Sequence, residues 1–199
     1  MIPGIVLAAG ASSRMGRPKA LLQAGARTFV RRVLDTLNDG GVPEAVVVVR
    51  PGAEQVTREV ELARFGRVLV NPHPDRGQLS SLLVGLDGVE RDDVDAVLVT
   101  LVDVPLVRPQ TIASLLARAR SSSAPILRAV HSGRHGHPVI FTRAVFGALR
   151  AADLAAGARA VLRAHQVEDV DVADPGVLVD VDTPDDYGRI IAPSPFPVA

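Results

Sequence analysis

Three short runs with almost no polar residue constrain this chain more than any other feature. They are Ile5–Ala9, Ala45–Val49 and Ala96–Leu101, the last interrupted only by Thr100. Runs of this length, apolar at every position rather than every second one, read as strands buried on both faces. Helical periodicity fills the gaps. Phe29, Val30, Val33, Leu34 and Leu37 share one face of a helix over Thr28–Asn38, stopped by Gly40 and Gly41. Val56, Val60 and Ala63 suggest a helix across 53–64, and Leu79, Leu82, Leu83 and Leu86 mark another that opens at Gln78. Pro109 suits a first helical position ahead of Ile112, Leu115 and Leu116. Strand–helix alternation with buried strands predicts an α/β layer fold.

The remainder is read the same way. Val68–Val70 and 125–130 are expected strands, and Ser132–Pro138 is expected to turn or move before a short strand, Val139–Phe141. Thr142 is a candidate N-cap for a helix carrying Val145, Phe146 and Leu149. A helix is expected over Ala158–Ala164, and strands or extended segments over Val167–Val172 and Val177–Val181. Thr183-Pro184-Asp185-Asp186 has the form of a capping box, with Asp in place of Glu. One domain over 1–192 and a Pro-rich tail over 193–199 follow.

Composition narrows the classes. Lys+Arg and Asp+Glu number 22 each, there is one Tyr and no Trp, so neither a broad basic face nor aromatic stacking platforms for nucleic acid are expected. The chain has no Cys, which excludes intrachain disulfides and thiolate metal sites. No apolar run is long enough for a membrane span. The start, Met1-Ile2-Pro3-Gly4, lacks a basic region and a cleavage pattern, so a cytoplasmic protein is expected.

The first apolar run leads into a loop, Gly10-Ala11-Ser12-Ser13-Arg14-Met15-Gly16-Arg17-Pro18-Lys19. Small residues expose backbone N–H groups that can cradle an anion, and Arg14 and Lys19 add charge suited to a polyphosphate. A G-x-x-x-x-G-K-[ST] loop is not met, because Met15 stands five residues after Gly10 and Gly16 leads into Arg17. The G-x-G-x-x-G fingerprint fails at Ser12. Asp103 follows a buried strand and precedes Pro105, where a rigid hard-oxygen donor suits Mg²⁺. Ligands in α/β folds bind beyond the carboxyl ends of strands, which is a reason to join this loop to Asp103. Asp180 and Asp182 share a face if extended, so one or both are available to a metal. Asp185 and Asp186 fit helix-start chemistry better. His135 and His137 have no third ligand nearby, and His73, His131 and His165 have no ligand spacing.

Leu7 to Lys19 resembles the signature L-A-A-G-x-S-x-R-M-G-x-x-K of the molybdenum cofactor nucleotidyltransferases, in particular their cytidylyltransferase-like branch, and meets every fixed position. Gly77–Leu82 resembles the family's G-x-x-x-S-L segment, Asp103-Val104-Pro105 its metal motif, Gly133–Phe141 its G-x-x-G-H-P-V-x-F segment, and Asp182 its late aspartate. The resemblance implies a single-domain, Rossmann-like, three-layer α/β/α nucleotidyltransferase fold with a mostly parallel sheet. It implies transfer of a nucleoside monophosphate from an NTP to the phosphate of molybdopterin, with release of pyrophosphate. Nucleotide would be bound by Leu7, Ala8, Ala9, Gly10, Ser12, Ser13, Arg14, Lys19, Gln78 and Ser81. Catalysis would rest on Arg14, Lys19 and Asp103, Mg²⁺ on Asp103 and Asp182, and acceptor binding on His137. A molybdoenzyme or its maturation chaperone is the implied partner. Ala9 in place of a second Gly resembles the CTP-using branch. GTP, a sugar-phosphate acceptor, or a non-catalytic maturation or delivery protein are the alternatives.

Overall fold

The computed structural model describes residues 1–191. The tail expected over 193–199 lies outside the described residues. The first strand, β1 (Gly4–Leu7), is buried at all four positions. A small hairpin follows, β2 (Gln23–Ala24) and β3 (Arg27–Thr28), and then α1 (Phe29–Asp39). Next come β4 (Ala45–Val49), α2 (Glu54–Ala63), β5 (Arg67–Val70), α3 (Gln78–Val89), β6 (Ala96–Leu101) and α4 (Pro109–Ser121). The chain continues through β7 (Ile126–His131), β8 (Arg134–Thr142), α5 (Phe146–Ala151), α6 (Ala158–Ala164), β9 (Val167–Asp171) and α7 (Pro184–Ile191).

Seven strands form one mixed sheet in the order β5-β4-β1-β6-β8-β7-β9. β1 is central and pairs in parallel with β4 and β6, and β5 and β9 also join in parallel. β8 alone runs against its two neighbours. Alternation along β1 sends Val6 to one face and Ile5 and Leu7 to the other, each into a separate aliphatic cluster. Val6 joins Phe29, Val33 and Leu34 of α1 and Ile112 and Leu115 of α4. Ile5 and Leu7 join Leu79, Leu82 and Leu86 of α3 and Phe146 and Leu149 of α5. The single-domain, three-layer α/β/α arrangement is therefore the one expected.

Three local expectations are corrected. The segment Ser132–Pro138 does not turn as a whole, because β8 begins at Arg134. Only Ser132 and Gly133 turn, both at positive φ (50° and 73°), as a two-residue hairpin between opposed strands requires. Thr142 does not cap a helix through its side chain; its hydroxyl donates to the Pro125 carbonyl at 3.0 Å. Val177–Val181 is not a strand, for a 3₁₀ turn occupies Pro175–Leu178.

That turn is held by Asp174, a carboxylate only 3% exposed. It accepts from the Arg108 N–H at 2.8 Å, the Thr111 hydroxyl at 2.6 Å and the Gly176 N–H at 3.0 Å. These bonds fasten residues 174–178 to the start of α4. Asp174→Ala leaves three donors without their acceptor and is expected to destabilise the protein by about 2–3 kcal/mol in urea titration. A change below about 0.5 kcal/mol would show that water replaces the carboxylate.

Candidate active site

A cleft of about 810 Å³ lies beyond the carboxyl ends of β1, β4 and β6. Its walls are the loop after β1, the β4–α2 loop from Arg50 to Val56, and the approach to α3 from Pro74 to Ser81, with Leu101–Asp103 between them. The first loop is closed on itself. Ser12 sits in the left-handed region (φ 50°), and its hydroxyl accepts from the Lys19 N–H at 3.1 Å. One side chain thus ties the start of the loop to its cation. The third wall is held by Asn71, 2% exposed, whose amide donates to the Ser80 and Ser81 hydroxyls at 2.9 Å each and whose carbonyl accepts from the His73 N–H at 2.9 Å.

Of the residues singled out in the sequence, Leu7, Ala8, Ala9, Gly10, Ser12, Ser13, Lys19, Gln78, Ser81 and Asp103 border the cleft. Arg14 is exposed and outside the lining. Asp182 and His137 are also outside the lining; Asp182 meets it at Lys19.

The Lys19 ammonium joins Asp103 Oδ2 at 2.9 Å and also Asp182 Oδ1, so residues 163 apart in sequence meet at one nitrogen. The lysine and Asp103 side chains are only 14% and 20% exposed. Burial alone would push the Lys19 pKa down, but hydrogen bonds to Asp182 and Asp103 outweigh it and hold the amine above its usual value. The ammonium therefore stays charged throughout the neutral range. Asp103 is set rigidly. Its carbonyl accepts from the Val181 N–H at 3.0 Å, Val104 is 1% exposed, and the Pro105 carbonyl accepts from Arg32 Nε at 2.7 Å. Asp103 Oδ1 is buried and has no partner among the described residues.

Asp180 joins these acids from the chain segment that leads to Asp182. Burial raises its pKa, and repulsion by Asp103 and Asp182 adds to the rise, partly offset by Lys19. Two carboxylates on the Lys19 ammonium, with Asp180 near enough to be repelled by both, leave surplus negative charge at this edge of the cleft.

His137 reaches the cluster by strand register. β6 pairs Val99 with Val139, so the antiparallel β8 carries Pro138 and His137 level with Thr100 and Leu101, the last two residues of β6, two positions short of Asp103. Opposite β7 the register shifts between Arg128↔Val139 and Val130↔His135, and Gly136-His137-Pro138 faces Ala129 as a bulge. Bulges redirect side chains in this way beside many sites. Burial lowers the His137 pKa, with Asp103 opposing and Arg159 reinforcing that shift. At neutral pH the ring is an uncharged hydrogen-bonding group, and its Nδ1 is enclosed without a partner among the described residues.

The MobA-like NTP transferase domain matches residues 4–170. The chain belongs to this family. As a MobA-like NTP transferase it is a nucleotidyltransferase of a superfamily that also includes molybdenum cofactor enzymes. It is 33% identical to nicotine blue oxidoreductase of Paenarthrobacter nicotinovorans, over 96% of each chain. It is 33% identical to a probable molybdenum cofactor guanylyltransferase of Rhodopirellula baltica, over 63% of this chain and 59% of that one. Among solved structures, Rv0371c of Mycobacterium tuberculosis H37Rv superimposes with a TM-score of 0.78 at 31% identity, covering 95% of this chain and 96% of the other. A structure of Rv0371c in complex with manganese superimposes with a TM-score of 0.76 at 29% identity, covering 95% and 97%.

Sequence reading passed over Arg17 and Arg50, both of which border the cleft, and Tyr187, which touches the loop. A signal for Arg17 was present, since it stands two residues before Lys19. Tyr187 gave none, because its contact crosses most of the chain. Among the described residues, no helix is long and apolar enough to cross a membrane.

Proposed function

We propose that the cleft transfers a nucleoside monophosphate from an NTP to a phosphate on molybdopterin. The observation that carries this reading is Lys19 drawn between Asp103 and Asp182 at the edge of the loop that follows β1. An oxygen of the acceptor phosphate bonds to the α-phosphorus, the bond from that phosphorus to the bridging oxygen breaks, and pyrophosphate leaves. The acceptor is already an oxyanion, so no general base is required. The protein's work is to bring two anions together and hold the attacking and leaving oxygens in line. Lys19 offsets phosphate charge, backbone N–H groups near Gly10 and Ser12 cradle it, and Arg14 adds a cation from the exposed side of the loop. Gln78 and Ser81 face the base from the opposite wall. His137, uncharged, donates or accepts a hydrogen bond on the acceptor side.

A divalent cation fits these residues. Asp103 Oδ1 is a buried oxygen without a donor, and Asp182 lies across the same ammonium. Among the described residues, no three His, Cys, Asp or Glu side chains converge as a preformed metal cluster. Asp103 and Asp182 would therefore hold the ion together with phosphate oxygens and water, as Mg²⁺ commonly is held. Such an ion supplies charge neutralisation and orientation of the phosphates. The complex of Rv0371c with manganese supports the presence of a divalent cation.

CTP is the proposed donor. Ala9 borders the cleft and is 6% exposed, so its methyl takes space that a glycine would leave for a purine. Product would pass to a molybdoenzyme or its maturation chaperone. Purified protein, molybdopterin and Mg²⁺ are expected to release pyrophosphate with CTP about 10-fold faster than with GTP. No pyrophosphate with any NTP would overturn the reading.

The match to nicotine blue oxidoreductase over 96% of each chain favours a second reading, in which the same cleft carries out an oxidoreduction. Loss of the colour of nicotine blue when the protein and a two-electron reductant are added, with no pyrophosphate from any NTP, would select it.

A further inference from the structure

Three cations border the cleft, Arg17, Lys19 and Arg50. Lys19 is engaged by two carboxylates, and Arg50 faces Asp75 across the mouth at 3.9 Å. Arg17 has no carboxylate partner among the described residues. Its guanidinium carbon lies instead 5.6 Å from the ring centroid of Tyr187.

The ring is a fixed surface. Its hydroxyl accepts from the Gln23 N–H at 3.3 Å, and the ring tilts at 59° against Phe29, 6.0 Å between centroids. Phe29 is wholly buried at the start of α1. The helix that carries Tyr187 is secured at its own start. The Thr183 N–H donates to Asp186 Oδ2 at 2.9 Å, and the Asp186 N–H donates to the Thr183 hydroxyl at 3.2 Å, a reciprocal capping box. One residue before that box, Asp182 takes the Lys19 ammonium. The segment from Asp182 into α7 therefore grips the loop after β1 at two points, by charge at Lys19 and by an aromatic face at Arg17.

The two grips differ in what they leave available. A carboxylate partner consumes guanidinium N–H donors. A ring face engages the flat side of the group and leaves its edge donors free, in a fork that matches phosphate oxygens. Arg17 is thus a cation at the cleft with its donors unspent and its position set.

We propose that Arg17 contacts the phosphates of the nucleotide and that Tyr187 is a positioning residue that holds it there. The inference rests on the nucleotide-binding reading above. Tyr187 lies outside the segment matched to the family, residues 4–170.

The test combines Arg17→Ala, Tyr187→Phe, Tyr187→Leu and the double variant Arg17→Ala/Tyr187→Leu. Each is assayed for KM and kcat with CTP and Mg²⁺ and for binding of inorganic tripolyphosphate by calorimetry. Arg17→Ala is expected to raise KM and weaken tripolyphosphate binding by about 10-fold, with kcat changed by less than about 3-fold. Tyr187→Phe keeps the ring and should match the native chain. Tyr187→Leu should raise KM by about 3-fold when Arg17 is present and add nothing when it is absent. A merely structural tyrosine would instead cost the same in both backgrounds, which overturns the positioning role. Unchanged KM and tripolyphosphate binding in Arg17→Ala, with native transfer intact, overturns this inference alone. If the native chain binds neither CTP nor tripolyphosphate, the nucleotidyltransferase reading falls with it.

Discussion

Replacing Asp103 with alanine is expected to lower kcat/KM for nucleotidyl transfer by about 100-fold or more, with the melting temperature kept within a few degrees of the native value. The two outcomes separate because this residue serves the fold and the site through different atoms. Its backbone carbonyl holds Val181, and that bond survives the substitution. Its carboxylate lies at the surface of the cleft, with one oxygen on Lys19 and the other without a donor. Lys19 keeps Asp182 as a counter-ion, so no uncompensated ammonium is left behind. What disappears is the oxygen proposed to hold the divalent cation against the phosphates. Electron paramagnetic resonance of Mn²⁺ with a non-hydrolysable CTP analogue should show the ion bound by the native chain and released by the variant. Native turnover in Asp103→Ala would remove this residue from the site.

Gly136→Ala is expected to cost about 3 kcal/mol and to lower the melting temperature by about 6–12 °C. The reason is space, not backbone angle. A Cβ at Gly136 would stand 2.1 Å from the Val177 carbonyl oxygen and 2.7 Å from its carbon. Those are backbone atoms of the 3₁₀ turn at Pro175–Leu178, and they cannot rotate aside. Nor can the turn retreat. Gly176 on its other side approaches Leu106 so closely that a Cβ there would lie 2.2 Å from the Leu106 carbonyl oxygen, and Asp174 pins the segment to α4. Any displacement also travels along the chain to Val181 and Asp182. Circular dichroism melting and urea titration would measure the loss. A melting temperature within about 1 °C of the native value would show that the strand and turn can part at little cost.

The parts legible in sequence were those set by local composition. Ala45–Val49 and Ala96–Leu101 are strands with the expected bounds, because Val-rich runs without polar interruption suit burial on both faces. Ala158–Ala164 is a helix with the expected bounds, and the capping box at Thr183–Asp186 is formed. The Val139–Phe141 part of β8 was legible, but its first half was hidden because Arg134-His135-Gly136-His137-Pro138 has neither alternation nor β-branched residues. It is extended because β7 pairs with it from one side, an interaction set by the hairpin at Ser132-Gly133 rather than by its own residues. Val177–Val181 misled in the opposite direction. Its valines are apolar for packing under β8 and near α4, while Asp174 and Gly176 commit the backbone to a turn. At the site, the loop after β1 and Asp103 could be joined from the rule that ligands lie beyond strand ends. That the group between the two acids would be Lys19 was not visible, since the meeting depends on where α7 docks.

The contact between Lys19 and Asp182 has a temporal side. During synthesis, β1, β4 and β6 can pair once about half of the chain has emerged, so the loop proposed to cradle phosphate is shaped early. The acid that completes it is made 163 residues after the lysine. A partly made chain therefore lacks one of the two carboxylates that restrain the lysine, and that restraint is complete only when the segment before α7 has settled against the first loop.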